Sequence, residues 1–181
     1  IHGPKGIGFL YIKEKTKIRP ISFGGDQQKG MRSGTINVPG IAGLGVAAAE
    51  AYAHLAENAE HMYELKAYFA DKLQQIGDVT INGKAGHDSA PQIISASFLG
   101  VRSEVLLHSL EDRCIYVSAG SACSSNHPSQ SGTLLNIGLD HAHQESTLRF
   151  SFCPETTREE LDYTYGVLEE LLPMLRRYTR H

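Results

Sequence analysis

From about Ile41 to Ile76 apolar residues recur on one helical face, and this run does most to limit what the chain can fold into. Leu44, Ala48 and Ala51 share a side, and Met62, Leu65, Phe69, Leu73 and Ile76 continue the stripe at spacings of three and four. Gly77 suits a C-terminal stop. A helix this long, Ala-rich in its first half, serves to join two domains. The chain before it reads as short apolar runs between glycine-rich turns. The chain after it alternates strand and helix patterns, which predicts an α/β protein ending in an α+β part.

Before the helix, "GIGFLYI" (Gly6 to Ile12) reads as a buried strand. "KIRPISFGG" (Lys17 to Gly25) reads as an extended segment ending in a turn, with Pro20 favouring a sheet edge. "GGDQQKGMRSGTINVPG" is polar and glycine-rich and is the first candidate functional loop. After the helix, "VTING", "IISASFLG" and "IYVSAG" read as strands, and "SEVLLHSLEDRC" as a helix capped by Ser103. "SGTLLNIGL" reads as a short helix stopped at Gly138. "STLRFSF" alternates as a strand, with Leu148, Phe150 and Phe152 on one face and Arg149 on the other. The last helix begins at a capping box, Thr157 with Glu160, and carries Leu161, Tyr165, Leu168 and Leu172 as its stripe. Pro173 should end or kink it.

The composition of the 181 residues, 41% hydrophobic and 20% charged, is ordinary for a soluble globular protein. A formal net charge of -3 offers neither a basic field for nucleic acid nor a polybasic membrane patch. Three cysteines, a small odd number, argue against a disulfide framework and for reduced thiols in a cytoplasmic setting. No apolar run is long enough to span a bilayer, and no signal-peptide pattern is present. The opening "IHGPKGIGFLYI", without a methionine, reads as the middle of a gene product, so a fragment or processed piece is expected.

The most unusual stretch is "SAGSACSSNHPSQSG", Ser118 to Gly132. It places Cys123 among glycines, serines and a proline, with nothing nearby to wall the thiol off from water. A thiol becomes nucleophilic as a thiolate, whose stability depends on neighbours in space. An inert exposed cysteine and a functional one both stay open on these residues alone. Cys114 and Cys153 adjoin apolar elements and read as packed. "GPKGIG" has neither the spacing of a dinucleotide loop nor the ending of a P-loop. "RSGT", Arg32 to Thr35, is either an anion site built from the Thr35 hydroxyl and backbone amides or a capped helix start. His141 and His143 lack companions at zinc spacing and read as a solvated loop, so no metal site is expected. His127, four residues after Cys123, would be held poorly as a base. Arg149, a lone guanidinium in an apolar strand, needs an anionic partner, either a structural carboxylate or a bound one.

Taken in order, "HGPKGIGFLYI", "GGDQQKGMRSGTINVPG", "SAGSACSS" and "STLRFSFCPETTREELDY" resemble the pyridoxal-phosphate-dependent cysteine desulfurases of the NifS/IscS type, within the class V aminotransferases. The resemblance covers the whole chain but only the C-terminal half of the family's pattern. It implies the fold-type I aminotransferase architecture: residues 1–40 as a remnant of the large cofactor-binding domain, 41–77 as the linking helix and 78–181 as the small C-terminal domain. By the same resemblance Cys123 is the catalytic cysteine that takes sulfur from L-cysteine as a persulfide, leaving L-alanine. Arg149 matches the arginine that pairs with the substrate carboxylate, and Thr35 the threonine that reaches the cofactor phosphate of a neighbouring subunit.

The family's cofactor-anchoring lysine precedes the match to "IHGPKG", so this chain alone is expected to be inactive. The implied cofactor is pyridoxal 5′-phosphate. The implied partners are a second subunit in a homodimer and a sulfur acceptor, such as an iron–sulfur scaffold or a tRNA-thiolation protein. A selenocysteine lyase, another class V aminotransferase and a non-catalytic sulfur-relay or partner-binding fragment are the alternatives.

Overall fold

The computed structural model describes residues 1–119 and 131–178. They fall into two compact units, Ile1–Leu55 and Ala56–His181. In the first, residues 1–37 run without a strand, through a tight turn at Gln27–Gly30 in which Gln28 (φ 53°) and Lys29 (φ 56°) are left-handed, into helix α1 (Val38–Ala53). Asn37 caps α1 by accepting the Gly40 amide at 3.0 Å, and a proline stands in its first turn, where no intrahelical N–H is needed. The "GIGFLYI" segment is therefore not the buried strand its composition suggests. Phe9 is 81% exposed and Tyr11 82%. A strand exists only where a neighbour takes its backbone N–H and C=O groups, and no described segment of this unit pairs with it.

The second unit is an α+β layer. Helix α2 (Leu55–Gln75) leads into strand β1 (Val79–Asn82), and β2 (Ile93–Phe98) is followed by helix α3 (Ser103–Glu111). Then come β3 (Ser118–Ala119), the short helices α4 (Gly132–Asn136) and α5 (His141–Glu145), strand β4 (Thr147–Ser151) and helix α6 (Arg158–Tyr178). The strands lie in the order β1-β2-β4-β3, every pair antiparallel. Ile94 opposite Phe150, Ala96 opposite Leu148 and Ala119 opposite Leu148 put one apolar face on the sheet. Leu65, Phe69 and Leu73 of α2, Leu106 and Leu110 of α3, and Leu161, Leu168 and Leu172 of α6 are buried with that face in one core. Phe69 meets Phe150 edge-on, ring centroids 5.3 Å apart. Each such side chain contributes about 1.5–3 kcal/mol on burial, which is what holds α2 and α6 to the sheet.

Several local expectations are corrected by the packing. The helical run from Ile41 to Ile76 is two helices, interrupted at His54 (φ −114°, ψ 15°); the apolar stripe crosses the break, so periodicity reads it as one. The left-handed residue after α2 is Asp78 (φ 58°), not Gly77. Asp78 turns so that its carbonyl accepts the Leu99 amide at 2.9 Å and Arg176 Nη2 at 3.3 Å. Ser103 is the buried first residue of α3 and does not cap it; Arg102 stands at the cap position and its side chain makes no capping hydrogen bond. Helix α6 starts at its capping box, where Glu160 Oε2 accepts the Thr157 amide at 2.9 Å and Thr157 Oγ1 accepts the Glu160 amide at 3.3 Å. It does not stop at Pro173 but continues to Tyr178, the buried Leu168, Leu171 and Leu172 keeping that turn on the core. Among the described residues no helix is long and apolar enough to cross a membrane.

Candidate functional site

The face of the sheet turned away from the core is polar, and Arg149 stands on it. Alternation along β4 sends Leu148 and Phe150 into the core and Thr147, Arg149 and Ser151 to the other side. Antiparallel register then sets Ser95 of β2 opposite Arg149 on one flank and Ser118 of β3 opposite it on the other. Arg149 Nη2 donates to Ser118 Oγ at 3.3 Å. Among the described residues no carboxylate pairs with Arg149, while Lys72, Arg113 and Arg102 each have one. The planar fork of this guanidinium has the geometry to accept a carboxylate as a bidentate partner.

Beside Arg149 the same face carries a closed polar network. Asn82 Nδ2 donates to Ser97 Oγ at 2.9 Å, the Ser97 and Thr147 hydroxyls share a hydrogen bond of 2.8 Å, and Thr147 Oγ1 donates to the His143 carbonyl at 2.6 Å. Ser97 and Thr147 are buried, so these bonds offset the desolvation of their hydroxyls and lock β1, β2, β4 and α5 together. Asp140 caps α5, accepting the His143 amide at 2.9 Å and His143 Nδ1 at 2.7 Å. The backbone bond, then the ring bond, holds its carboxyl below the ordinary aspartate range. His143 is thus a capping partner, and no group of three or more potential metal ligands occurs among the described residues.

Thr35 lies in the first unit, in a turn-rich loop. Ser33 Oγ donates to the Gly25 carbonyl at 2.7 Å, the Gly34 amide donates to Gln27 Oε1 at 3.1 Å, and Gly34 adopts φ 108°, a conformation that excludes most other residues. These bonds fold the loop back on itself and leave Thr35 exposed ahead of α1. Because Asn37 caps α1, the Thr35 hydroxyl is not needed as a cap. With Lys29 and Arg32 nearby and no carboxylate between Asp26 and Glu50, the local donor set suits a phosphate group.

Cys123 and His127 lie outside the described residues; the segment carrying them follows β3 directly and ends at Ser131, the cap of α4. Cys114, expected to be packed, is exposed, with φ 59°. Its turn closes α3 and delivers Ile115, not Cys114, to the core. Cys153 is half-buried against Thr156, sulfur to hydroxyl 3.5 Å. The structure thus brings Arg149 to the strand pair from which the Cys123 segment departs, and leaves Thr35 in a separate unit. Ser95 and Ser118 were not singled out by sequence reading. Their only signal is the alternation of small polar residues in "IISASF" and "IYVSAG", which gains meaning once register is known.

Residues 1–164 match the class-V aminotransferase family. The chain is 39% identical over 178 residues to the cysteine desulfurase IscS of Dictyoglomus turgidum, covering 97% of this chain and 44% of that protein. It is 37% identical over 177 residues to the cysteine desulfurase IscS of Clostridium botulinum, covering 97% and 45%. Among solved structures, a NifS-like protein superposes with a TM-score of 0.83 at 36% identity, over 96% of this chain and 44% of that one. The chain therefore spans less than half the length of the relatives it matches.

Proposed function

Because the chain belongs to the class-V aminotransferase family, whose members work with pyridoxal 5′-phosphate, we propose that it is part of a cysteine desulfurase. In this reading it supplies the sulfur-accepting thiol and the substrate-carboxylate clamp of the whole protein. Residues 1–40 belong to the large domain, 41–77 link it to 78–181, and the active protein is a homodimer in the cytoplasm. The observation that carries the proposal is Arg149, set on the polar face of the sheet without an acidic partner among the described residues. It sits beside the strand that runs into "GSACSS". Cys123 follows Ala119 by four residues, a stretch that spans at most about 14 Å even when fully extended.

Each residue then has a task. Arg149 binds the carboxylate of L-cysteine and orients the substrate. Thr35 would hydrogen-bond the phosphate of the cofactor in the neighbouring subunit, which its exposed hydroxyl and basic sequence neighbours suit. Cys123, as a thiolate, attacks the substrate sulfur. A sulfur–sulfur bond forms as the carbon–sulfur bond breaks, the electron pair of the broken bond stays on carbon, and carbon takes up a proton. The products are L-alanine and a persulfide on Cys123. When bound, pyridoxal phosphate supplies the electron sink that this bond cleavage requires. In the family's pattern the lysine that anchors the cofactor precedes "IHGPKG", and in this reading residues 1–181 by themselves do not turn over cysteine. An acceptor thiolate then attacks the outer sulfur of the persulfide, the sulfur–sulfur bond to Cys123 breaks and Cys123 leaves as a thiolate; an iron–sulfur scaffold or a tRNA-thiolation protein is the fitting class of acceptor.

In the whole protein, Cys123→Ala should retain cofactor and bind cysteine while losing alanine production. Cys114→Ala and Cys153→Ala should keep turnover. Normal turnover in Cys123→Ala, measured as alanine released, would overturn the proposal.

A further inference from the structure

Three side chains stand in a row across the polar face: Ser95 on β2, Arg149 on β4 and Ser118 on β3. Directly opposed residues in antiparallel strands carry their side chains side by side, within reach of one another. Only one of the two serines holds the arginine. Ser118 Oγ accepts from Arg149 Nη2 at 3.3 Å. Ser95 Oγ instead accepts from Asn82 Nδ2 at 3.3 Å, on the side of the buried network.

We infer that Ser118 is a positioning residue for Arg149, fixing one arm of the guanidinium so that its other N–H groups face a substrate carboxylate as an oriented fork. The inference rests on the carboxylate-clamp reading of Arg149. A hydroxyl that accepts one hydrogen bond still has its own O–H to donate. Ser118 can therefore hold Nη2 and, with the same side chain, donate to the carboxylate that Arg149 binds. An exposed arginine loses rotamer freedom on binding, and a hydrogen bond already made in the free protein lowers that cost. Ser118 is half-buried and anchored by pairing with β4, which makes it a fixed point for the longer, mobile side chain. The strand that orients the carboxylate clamp is thereby the strand that leads to Cys123, so carboxylate binding and thiol delivery share one support.

The test compares Ser118→Ala, Ser118→Thr and Ser95→Ala with Arg149→Lys in the whole protein, by steady-state kinetics with L-cysteine. In this chain without substrate, nitrogen-15 NMR follows rotation of the Arg149 guanidinium about its Nε–Cζ bond. Ser118→Ala should raise KM about threefold to tenfold with kcat nearly unchanged, and should free the guanidinium to rotate. Ser118→Thr, which restores a hydroxyl on a residue suited to strands, should restore both readouts. Ser95→Ala should move neither. An unchanged KM in Ser118→Ala beside an impaired Arg149→Lys would overturn the positioning role and leave the clamp standing. Unchanged kinetics in Arg149→Lys would overturn both. A fall in kcat without a rise in KM, or free rotation already present in the wild type, would also overturn it.

Discussion

At the scale of single residues the clearest consequence falls on Arg149. Replacing it with lysine keeps the charge and loses the bidentate geometry. The loss of such a charge-assisted contact costs about 1.5–3 kcal/mol, or on the order of tenfold to a hundredfold in kcat/KM for cysteine in the whole protein. An unchanged kcat/KM would assign Arg149 to the surface alone. Its orientation was legible in "STLRFSF", because alternation is a local property that any half-buried strand displays. Its partner Ser118 was not, because register is fixed by pairing across 31 residues of chain. Cys114 misled for a related reason. Following an amphipathic helix suggests packing, yet the Glu111 carbonyl accepts the Cys114 amide and the Leu110 carbonyl accepts the Ile115 amide, both at 2.9 Å, and this turn swings the thiol outward.

Among the elements, α6 shows how far local sequence can reach. Its capping box and leucine stripe both lie within the helix, so its start was readable, and the cap has a measurable value. Thr157→Ala should destabilise the second unit by about 0.5–2 kcal/mol in denaturant unfolding, and Thr157→Ser should recover most of it. What clasps α6 to α2 was not readable, since it joins residues about ninety positions apart. Lys72 Nζ pairs with Asp162 Oδ1 at 2.6 Å, the Tyr68 hydroxyl donates to the same oxygen at 2.5 Å, and Lys72 lies over the Tyr165 ring at 4.9 Å. The bonds from Lys72 and then Tyr68 hold the Asp162 carboxyl below the ordinary aspartate value of 3.8. A depressed carboxylate stabilises the fold above the unfolded value, and that contribution is lost as pH falls through the folded one. Melting temperature should therefore drop more steeply below about pH 4 in the wild type than in Asp162→Asn. Parallel curves for the two proteins would remove the clasp from the acid response. The strand expected at Gly6 to Ile12 failed for the opposite reason: its composition is right, but pairing needs a neighbour that the first unit does not provide.

On the scale of the whole molecule the two units differ in how they treat apolar surface. The second unit buries its phenylalanines and most of its leucines in one core, whereas the first leaves Phe9, Tyr11, Ile21 and Phe23 largely exposed. That contrast accords with our reading of residues 1–40 as part of a larger cofactor-binding domain, whose remaining surface would cover them. The same reading divides the chemistry: the electron sink belongs to the larger domain, and the second unit contributes the clamp and the thiol. The α/β character and most of the second unit's elements were legible from alternation and stripes; helix α5 (His141–Glu145) was not, because five residues capped by Asp140 are too short to show a periodicity and read as a solvated loop. The role we propose for Cys123 rests on the resemblance of its neighbouring motifs, because a cysteine among small polar residues carries no distinctive chemistry in the sequence alone. The direct test is to let the whole protein turn over once with L-cysteine, digest it, and map the added sulfur by mass spectrometry. A persulfide on Cys123 is the expected result, and sulfur on Cys114 or Cys153 with none on Cys123 would contradict it.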